Sequence, residues 1–198
     1  LSLKKRGRAL LASYEAIRFQ KLDLFSVMQR QSGGYIQKMH LQDAVDVLMN
    51  GDGNQNPATT LKVGENTIGG TKGTLTYDEL VNFWGQFGPY TLNTFLCGTD
   101  AMTKMLKIDE FQNPLTGLNF QGSGQFTAPM GAQLLRSDCV AAGKIIGMDR
   151  RYALELVRAG DVMVEYDKLI DRQLERAVIS SIAGFGKICD EAAKVLEL

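Results

Sequence analysis

The sequence predicts an α+β fold, because helical patterns open the chain, mixed elements follow and strand patterns close it. Apolar residues recur at helical spacing through roughly the first quarter of the chain, whereas residues 177–185 alternate as a strand does. No internal repeat is evident, and strands and helices do not alternate as they would in a parallel doubly wound sheet. The 198 residues suffice for one large domain or two small lobes.

The composition argues against several classes of function. Lys plus Arg and Asp plus Glu number 22 each, so the chain lacks the basic excess of proteins that neutralise nucleic-acid phosphates. Three cysteines without a repeated spacing predict a reducing compartment rather than a disulfide framework. The sequence shows neither an apolar run of membrane-spanning length nor a signal peptide, so we expect no membrane partner.

The chain is predicted to open with a short basic segment and a helix. Residues 1–8 contain four basic side chains and are expected to form a solvated, frayed start. Residues 8–20 carry apolar side chains at helical spacing, which predicts an amphipathic helix.

A second and much longer helix is predicted over residues 23–50. Asp23 is its expected N-cap, and Gly51 marks its end. At 1.5 Å per residue this helix would be roughly 40 Å long, which is more than twice the usual length in globular proteins. It would act as a spine for more than one layer of structure. We interpret Gly33 and Gly34 within it as a hinge, because two glycines weaken and bend a helix.

The remaining elements follow from turn signals and short periodic runs. A capping box at residues 76–79 opens a helix that ends at residues 88–89. Thr99 or Asp100 is expected to cap a short helix that continues to Leu106. Strands are predicted at residues 60–63, 91–97, 144–147, 152–157, 161–166, 177–185 and 194–198, with at least one helical turn at 167–173 and a long loop at 111–131.

Two glycine-rich segments resemble ligand-binding loops but lack residues that such loops need to bind their ligands. Residues 64–71 approach a phosphate-binding loop, yet Gly70 occupies the position of the lysine that would meet the phosphate charge. Residues 52–63 approach a calcium loop, yet Pro57 replaces its glycine and Val63 replaces its bidentate glutamate. We expect ordinary loops and turns at both places.

The histidine and the cysteines do not form clusters in the sequence. His40 is the only histidine, and no cluster supplies the three or four ligands of a metal site or the nucleophile of a triad. Cys97, Cys139 and Cys189 lie among apolar or small residues and are expected to be buried thiols. The sequence therefore predicts no catalytic residue, no cofactor and no metal ion.

A series of short motifs is more informative than any of these sites. Gly7-Arg-Ala-Leu, Asn50-Gly-Asp-Gly and Gly98-Thr-Asp-Ala are followed by residues 143–155 and residues 179–185. In this order they resemble the major capsid proteins of tailed phages and prophages, which have the Hong Kong 97-type fold. The residues that carry the resemblance in the last third are Gly147, Asp149, Arg150, Tyr152, Glu165, Asp167, Gly184 and Phe185.

The resemblance implies a long spine helix, a peripheral lobe and an axial lobe. Residues 1–73 would form the N-terminal part of the peripheral lobe and residues 74–160 mainly the axial lobe, while residues 161–198 would return to the peripheral lobe. It also implies a structural protein rather than an enzyme. Identical copies would form the pentamers and hexamers of an icosahedral shell that encloses DNA without sequence-specific contacts. Scaffolding, portal and decoration proteins are the other implied partners, with assembly in the bacterial host cytoplasm and the virion capsid as the final location.

One departure from the family and three alternatives remain open. Members of the family carry an N-terminal arm and an extended loop before the spine helix, and little precedes Leu10 here. This chain is therefore expected to be a soluble core that is monomeric or weakly associated. The alternatives are a nanocompartment (encapsulin-like) shell protein of the same fold, a small α+β enzyme with a loop-borne ligand site, and a prophage remnant that no longer assembles.

Overall fold

The computed structural model describes residues 1–19, 24–53, 55–65, 71–112 and 131–198. The predicted N-cap Asp23 and most of the predicted loop at 111–131 lie outside these described residues. In chain order the described elements are β1 (Lys4–Ser13), α1 (Tyr14–Phe19), α2 (Leu24–Asn50), β2 (Thr59–Lys62), α3 (Tyr77–Gly85), β3 (Thr94–Cys97), α4 (Thr99–Leu106), α5 (Asp109–Gln112), β4 (Gln133–Arg136), β5 (Lys144–Met148), β6 (Leu154–Arg158), β7 (Met163–Leu169), β8 (Leu174–Lys187) and β9 (Ala193–Glu197).

These elements divide into two compact units, and each combines helix with sheet. The first unit comprises Leu1–Ala44 and Leu156–Gly186, and the second unit comprises Val45–Glu155 and Lys187–Leu198. Helix α2 contributes residues to both units. The predicted α+β class is confirmed.

The sheet of the first unit is organised around β8, which carries β1 on one edge and β6 and β7 on the other. β1 lies antiparallel to β8, with Lys4 opposite Ala183. β7 also lies antiparallel to β8, with Met163 opposite Ser180. A 3-10 turn follows β7, and Gln173 ends it in the left-handed conformation with φ +53. The sequence prediction of a helical turn over 167–173 is therefore wrong at its start, because β7 continues through the first three of these residues.

Strand β1 corrects the prediction for the start of the chain. Residues 4–13 pair with β8 along their whole length, so the basic start is ordered and the first half of the predicted helix is a strand. Pairing with a distant strand satisfies the backbone and outweighs the local helical pattern. Only α1 remains helical, and it begins after Ser13, whose hydroxyl accepts a hydrogen bond from the N–H of Ala16 at 3.2 Å.

Helix α2 confirms the predicted spine. It spans 27 residues and ends before Gly51, which adopts φ +83 and donates its N–H to the carbonyl of Val47 at 2.9 Å. Within the first unit it buries Ser32, Ile36 and Ala44. The predicted apolar stripe is too wide, because Val27, Met28 and Tyr35 are exposed. The ring of Tyr35 lies beneath the guanidinium of Arg8 at 3.7 Å, which is the distance of a cation–π contact.

An ion-pair cluster joins β1 to α2 inside the first unit. Arg6 donates to both carboxylate oxygens of Asp43 at 2.6 and 3.0 Å, and Lys4 donates to one of them at 3.0 Å. Burial alone would raise the pKa of Asp43, but the hydrogen bonds from Arg6 and Lys4 outweigh burial and hold that pKa below its usual value. The bidentate geometry fixes where β1 lies along the helix.

Replacing Asp43 with asparagine is expected to lower the free energy of unfolding by about 1–2 kcal/mol. The variant keeps the size of the side chain but loses the charge that both cations share. Urea denaturation at low and high salt measures the change, and the wild-type advantage should shrink at high salt. Asp46→Asn, the same change at an exposed position of α2, is the matched control and should cost less than about 0.5 kcal/mol. Equal losses of stability in the two variants would show that the ion pairs of Asp43 with Arg6 and Lys4 do not stabilise the protein.

The second unit is built on a five-stranded sheet with the order β2-β9-β5-β3-β4. β5 lies antiparallel to both β9 and β3, whereas β2 runs parallel to β9 and β4 runs parallel to β3. The sequence analysis missed β4. This strand has four residues and buries only Leu134, so it shows no alternation long enough to detect.

The main core of the second unit packs α3 and α4 against this sheet. Phe83 from α3 lies at its centre, with ring centroids 5.4 Å from Phe87 and 6.2 Å from Phe95. The other fully buried large side chains of this core are Leu80, Leu92, Met105, Ile145 and Leu196. This core fixes the position of the strand ends and turns described below.

The helix caps of the second unit confirm the predictions only in part. The hydroxyl of Thr76 caps α3 by accepting from the N–H of Glu79 at 3.4 Å, as predicted. The carboxylate of Glu79 instead accepts from the N–H of Gly64 at 2.9 Å. The N-cap of α4 is Gly98, without a side-chain hydrogen bond, so the predicted cap by Thr99 or Asp100 is wrong.

Candidate functional site

Asp149 organises the turn that follows β5. Its side chain is 3% exposed and accepts three hydrogen bonds: from the N–H of Thr91 at 3.1 Å, from the side-chain amide of Asn93 at 2.9 Å and from the N–H of Arg151 at 3.1 Å. Its own N–H donates to the carbonyl of Ala192 at 2.9 Å. Asp149 thus ties three segments together: its carboxylate joins the segment before β3 to the turn after β5, and its N–H reaches the segment before β9.

The protonation state of Asp149 follows from these contacts. Burial alone would raise its pKa, but the hydrogen bonds from Arg151, Thr91 and Asn93 outweigh burial and lower the pKa of Asp149. The ionised carboxylate accepts from all three donors, and protonation would weaken these hydrogen bonds because it removes the charge that strengthens them. The charge therefore stabilises the turn, and nothing in the geometry poises this group for proton transfer near neutral pH.

Arg150 and Tyr152 belong to the same turn. The N–H of Arg150 donates to the side-chain oxygen of Asn93 at 3.1 Å, and its guanidinium donates to Gln133 at 3.3 Å. Tyr152 is half exposed, and its ring centroid lies 5.7 Å from that of Tyr90. These predicted residues lie together, around one turn at the end of β5.

Gly147 brings β5 close to the aromatic core. A β-carbon at this position would lie 2.4 Å from Cε1 of Phe83 and 3.0 Å from Cδ1 of Leu92. Real β-carbons do not approach other atoms so closely, so glycine is required here by space rather than by backbone conformation.

The other four predicted residues lie in the first unit. Glu165 and Asp167 are exposed on β7, and Asp167 forms an ion pair with Arg176 of β8 at 2.6 Å. Gly184 and Phe185 lie on β8, where a β-carbon on Gly184 would stand 2.5 Å from the carbonyl oxygen of Ser2. The eight predicted residues therefore form no single constellation, and their functional importance stays a prediction.

The two loops that resemble ligand sites offer no open site among their described residues. The N–H of Gly64, which would face a phosphate, is taken by the carboxylate of Glu79, and residues 66–70 lie outside the described part of the chain. In the calcium-like loop, the carbonyl of Asn56 accepts from the ammonium of Lys187 at 3.1 Å. Asn54 also lies outside the described residues.

The isolated reactive residues likewise do not assemble into a site. Both ring nitrogens of His40 are shielded from solvent and have no hydrogen-bond partner among the residues that the structure describes. Cys97 is buried, and burial raises the pKa of its thiol to about 12, so it stays protonated and inert. Cys139 and Cys189 are half buried rather than fully buried, which corrects the prediction for these two.

Within the described residues, no group of three or more His, Cys, Asp or Glu side chains could hold a metal ion. None of the described helices is long and apolar enough to cross a membrane. What the geometry provides is long-range hydrogen bonding within each unit. The connections from Asp149 to Thr91 and Asn93 and from Asp43 to Arg6 were not predicted, because no local sequence pattern links residues so far apart.

Comparison with known proteins identifies the family of this chain. A family model described as phage capsid protein matches residues 1–182. No curated protein sequence matches the chain significantly.

Several solved structures share the fold over almost the whole chain. The capsid of a native GTA particle matches with a TM-score of 0.76 at 13% identity. The matched region covers 99% of this chain and 72% of the GTA capsid chain. A structure from Mycobacterium phage Che8 has a TM-score of 0.73 at 11% identity, over 98% of this chain and 70% of its own. The holo-SrpI encapsulin complex from Synechococcus elongatus has a TM-score of 0.69 at 13% identity, over 98% of this chain and 73% of its own. The predicted Hong Kong 97-like capsid fold is confirmed.

Proposed function

This chain belongs to the phage capsid protein family, and we propose that it is the major capsid subunit of a tailed phage or prophage, copies of which close into an icosahedral shell around DNA. It is a structural protein. The family match carries the proposal, because it extends over residues 1–182, whereas the fold alone is common to phage heads and other shells.

The two units correspond to the two lobes that the resemblance implies. We assign the first unit, with α2 and the long strand β8, to the peripheral lobe, and the second unit, with its five-stranded sheet, to the axial lobe. Under this assignment the C-terminal strand β9 belongs to the axial lobe, because it pairs with β2 and β5.

Packaged DNA, scaffolding, portal and decoration proteins are the proposed partners of the shell, with assembly in the host cytoplasm. Basic and acidic residues number 22 each, so the inner surface would hold DNA by enclosure rather than by neutralising its phosphates. Many modest contacts between identical subunits would add up to a stable shell.

A nanocompartment shell of the same fold is the alternative, and the encapsulin likeness is compatible with it. The contents of the particle separate the two functions. Particles from the natural host would be purified and treated with nuclease before their contents are extracted. A phage capsid would protect DNA of defined length, whereas protected protein cargo without DNA would overturn the phage assignment in favour of a nanocompartment.

The hinge hypothesis for α2 gives a separate prediction. A β-carbon on Gly33 or Gly34 would meet no atom within 4 Å, so alanine fits at both positions without strain. Each Gly→Ala change should stabilise the protein by about 0.5–1 kcal/mol, because alanine favours the helix. If α2 bends here as shells expand, the double variant should assemble normally but expand more slowly, as measured by time-resolved scattering. Expansion of the double variant at the wild-type rate would refute the hinge hypothesis.

A further inference from the structure

Strand β7 leaves nearly all of its side chains in solvent, on both faces of the sheet. Only Leu169, its last residue, is half buried. Five apolar side chains on and beside this strand form what we call the β7 patch: Val162 (58% exposed), Met163 (48%), Val164 (46%), Tyr166 (67%) and Ile170 (80%). An apolar surface of this extent often marks an interaction site.

The size of the β7 patch suits a protein interface. With roughly 150–200 Å² for each large side chain, the exposed fractions correspond to about 500 Å² of accessible surface. A standard stable interface buries about 800 Å² on each partner. The patch together with its polar neighbours Glu165, Asp167 and Lys168 therefore approaches what one partner must contribute.

The backbone of β7 points to a strand as the occupant. Among the described residues β7 pairs with β8 alone, so its other edge presents backbone N–H and C=O groups without a strand partner. The opposite edge of the same sheet is β1, which likewise pairs with β8 alone within the described part of the chain. Addition of a strand to such an edge supplies main-chain hydrogen bonds and covers side chains on both faces.

The charges argue against nucleic acid or an anionic lipid surface as the partner. Residues 163–176 contain four acidic and three basic side chains. All three cations form ion pairs within the hairpin: Lys168 with Glu175 at 3.3 Å, Arg176 with Asp167 at 2.6 Å and Arg172 with Asp171 at 3.7 Å. A surface without a basic excess does not attract phosphates, so a protein strand is the better partner.

On one face of the sheet, the two edges without a described partner carry opposite charges: β7 presents Glu165 and Asp167, and β1 presents exposed Lys5. On the other face, Lys168 is paired with Glu175, and Arg8 lies over the ring of Tyr35. Glu165 stands opposite Val178 and Lys5 opposite Ile182, so both side chains lie on the same face of the sheet. Pairing β7 with itself across a two-fold axis at Tyr166 would instead place Glu165 opposite Asp167, and like charges in that position repel.

We propose that β7 of one copy adds edge to edge to β1 of a second copy, so that one sheet continues across the subunit boundary. The contact is heterologous, as closed rings of identical subunits require. This inference rests on the proposed capsid function and names the surface through which neighbouring copies meet. Complementary charges set the register, and the β7 patch supplies the apolar area.

A charge swap in the full-length protein tests the contact. Glu165→Lys and Lys5→Glu each place like charges across the boundary, and the double variant restores opposite charges. We expect each single variant to lower the yield of assembled particles by about tenfold, since the penalty recurs at every subunit, and the double variant to recover most of it. Sedimentation and electron microscopy measure the yield, and thermal unfolding verifies that each variant is folded. Lys38→Glu, an exposed reversal on α2, is the matched control and should assemble like the wild type.

The outcomes separate this inference from the proposed function. Wild-type shells together with normal assembly of both single variants would overturn the β7–β1 contact and leave the capsid function intact. Failure of the double variant to regain assembly would also overturn the contact. If the wild-type protein forms no particles under any condition, including expression with its phage partners, both the contact and the capsid function are wrong.

Discussion

Gly147→Ala is expected to lower the free energy of unfolding of the second unit by about 3 kcal/mol. The added methyl group would lie 2.4 Å from Cε1 of Phe83, a ring that is only 2% exposed. That ring cannot move aside, because Phe87 and Phe95 pack against it with centroids 5.4 and 6.2 Å away. Chemical denaturation measures the loss.

A compensating variant distinguishes overpacking from a general effect of losing glycine. Phe83→Leu removes the ring atoms that the methyl group would meet, so the double variant should be more stable than the sum of the single changes by at least about 1 kcal/mol. Gly160→Ala serves as the matched control, because a β-carbon there meets no atom within 4 Å. Additive effects of Gly147→Ala and Phe83→Leu would refute the steric explanation.

Asp149→Ala is expected to cost a similar amount, about 3 kcal/mol, because it removes the acceptor of three part-buried hydrogen bonds, from Thr91, Asn93 and Arg151. Asp149→Asn keeps one acceptor oxygen and should cost about half as much. Hydrogen exchange should show faster opening of the N–H of Thr91 in both variants. Unchanged protection of Thr91 would rule out the carboxylate as its partner.

The same residue predicts a dependence of stability on pH. The folded-state pKa of Asp149 lies below its ordinary value of 3.8, so its stabilising contribution is fully present above that value. The contribution is lost as the pH falls through the lowered folded-state pKa. Wild-type protein should therefore lose more stability than Asp149→Asn between about pH 5 and about pH 2, as measured by urea denaturation. Equal losses of stability in the wild type and in Asp149→Asn would show that the charge of Asp149 does not stabilise the fold.

The elements that were predicted correctly have local signals. Helix α2 is recognisable because its residues repeat at helical spacing and Gly51 ends it, and both signals lie within the helix itself. β8 is recognisable in the same way, because alternation continues over many residues. The resemblance to capsid proteins selected Gly147 and Asp149, both of which have a clear packing role, although no pattern in the sequence indicates what either contacts.

The elements that were missed depend on distant partners. The second half of strand β1 was predicted as a helix, because the pairing of β1 with β8, which joins Lys4 to Ala183, leaves no trace in the local pattern. The hydrogen bonds of Asp149 reach Thr91 and Asn93 across 58 and 56 residues, and sequence spacing cannot indicate them either. The residues of the β7 patch were predicted only as parts of a strand over 161–166 and a helical turn over 167–173, because exposure on both faces is a property of the folded sheet alone.

Electron microscopy of the full-length product of this gene, expressed with its phage partners, tests the capsid function most directly. We expect closed icosahedral particles of uniform size, in which the second unit lies nearest the five-fold and six-fold axes. A monodisperse monomer or small oligomer under those conditions would contradict it, since a capsid subunit with its partners present has to close into shells.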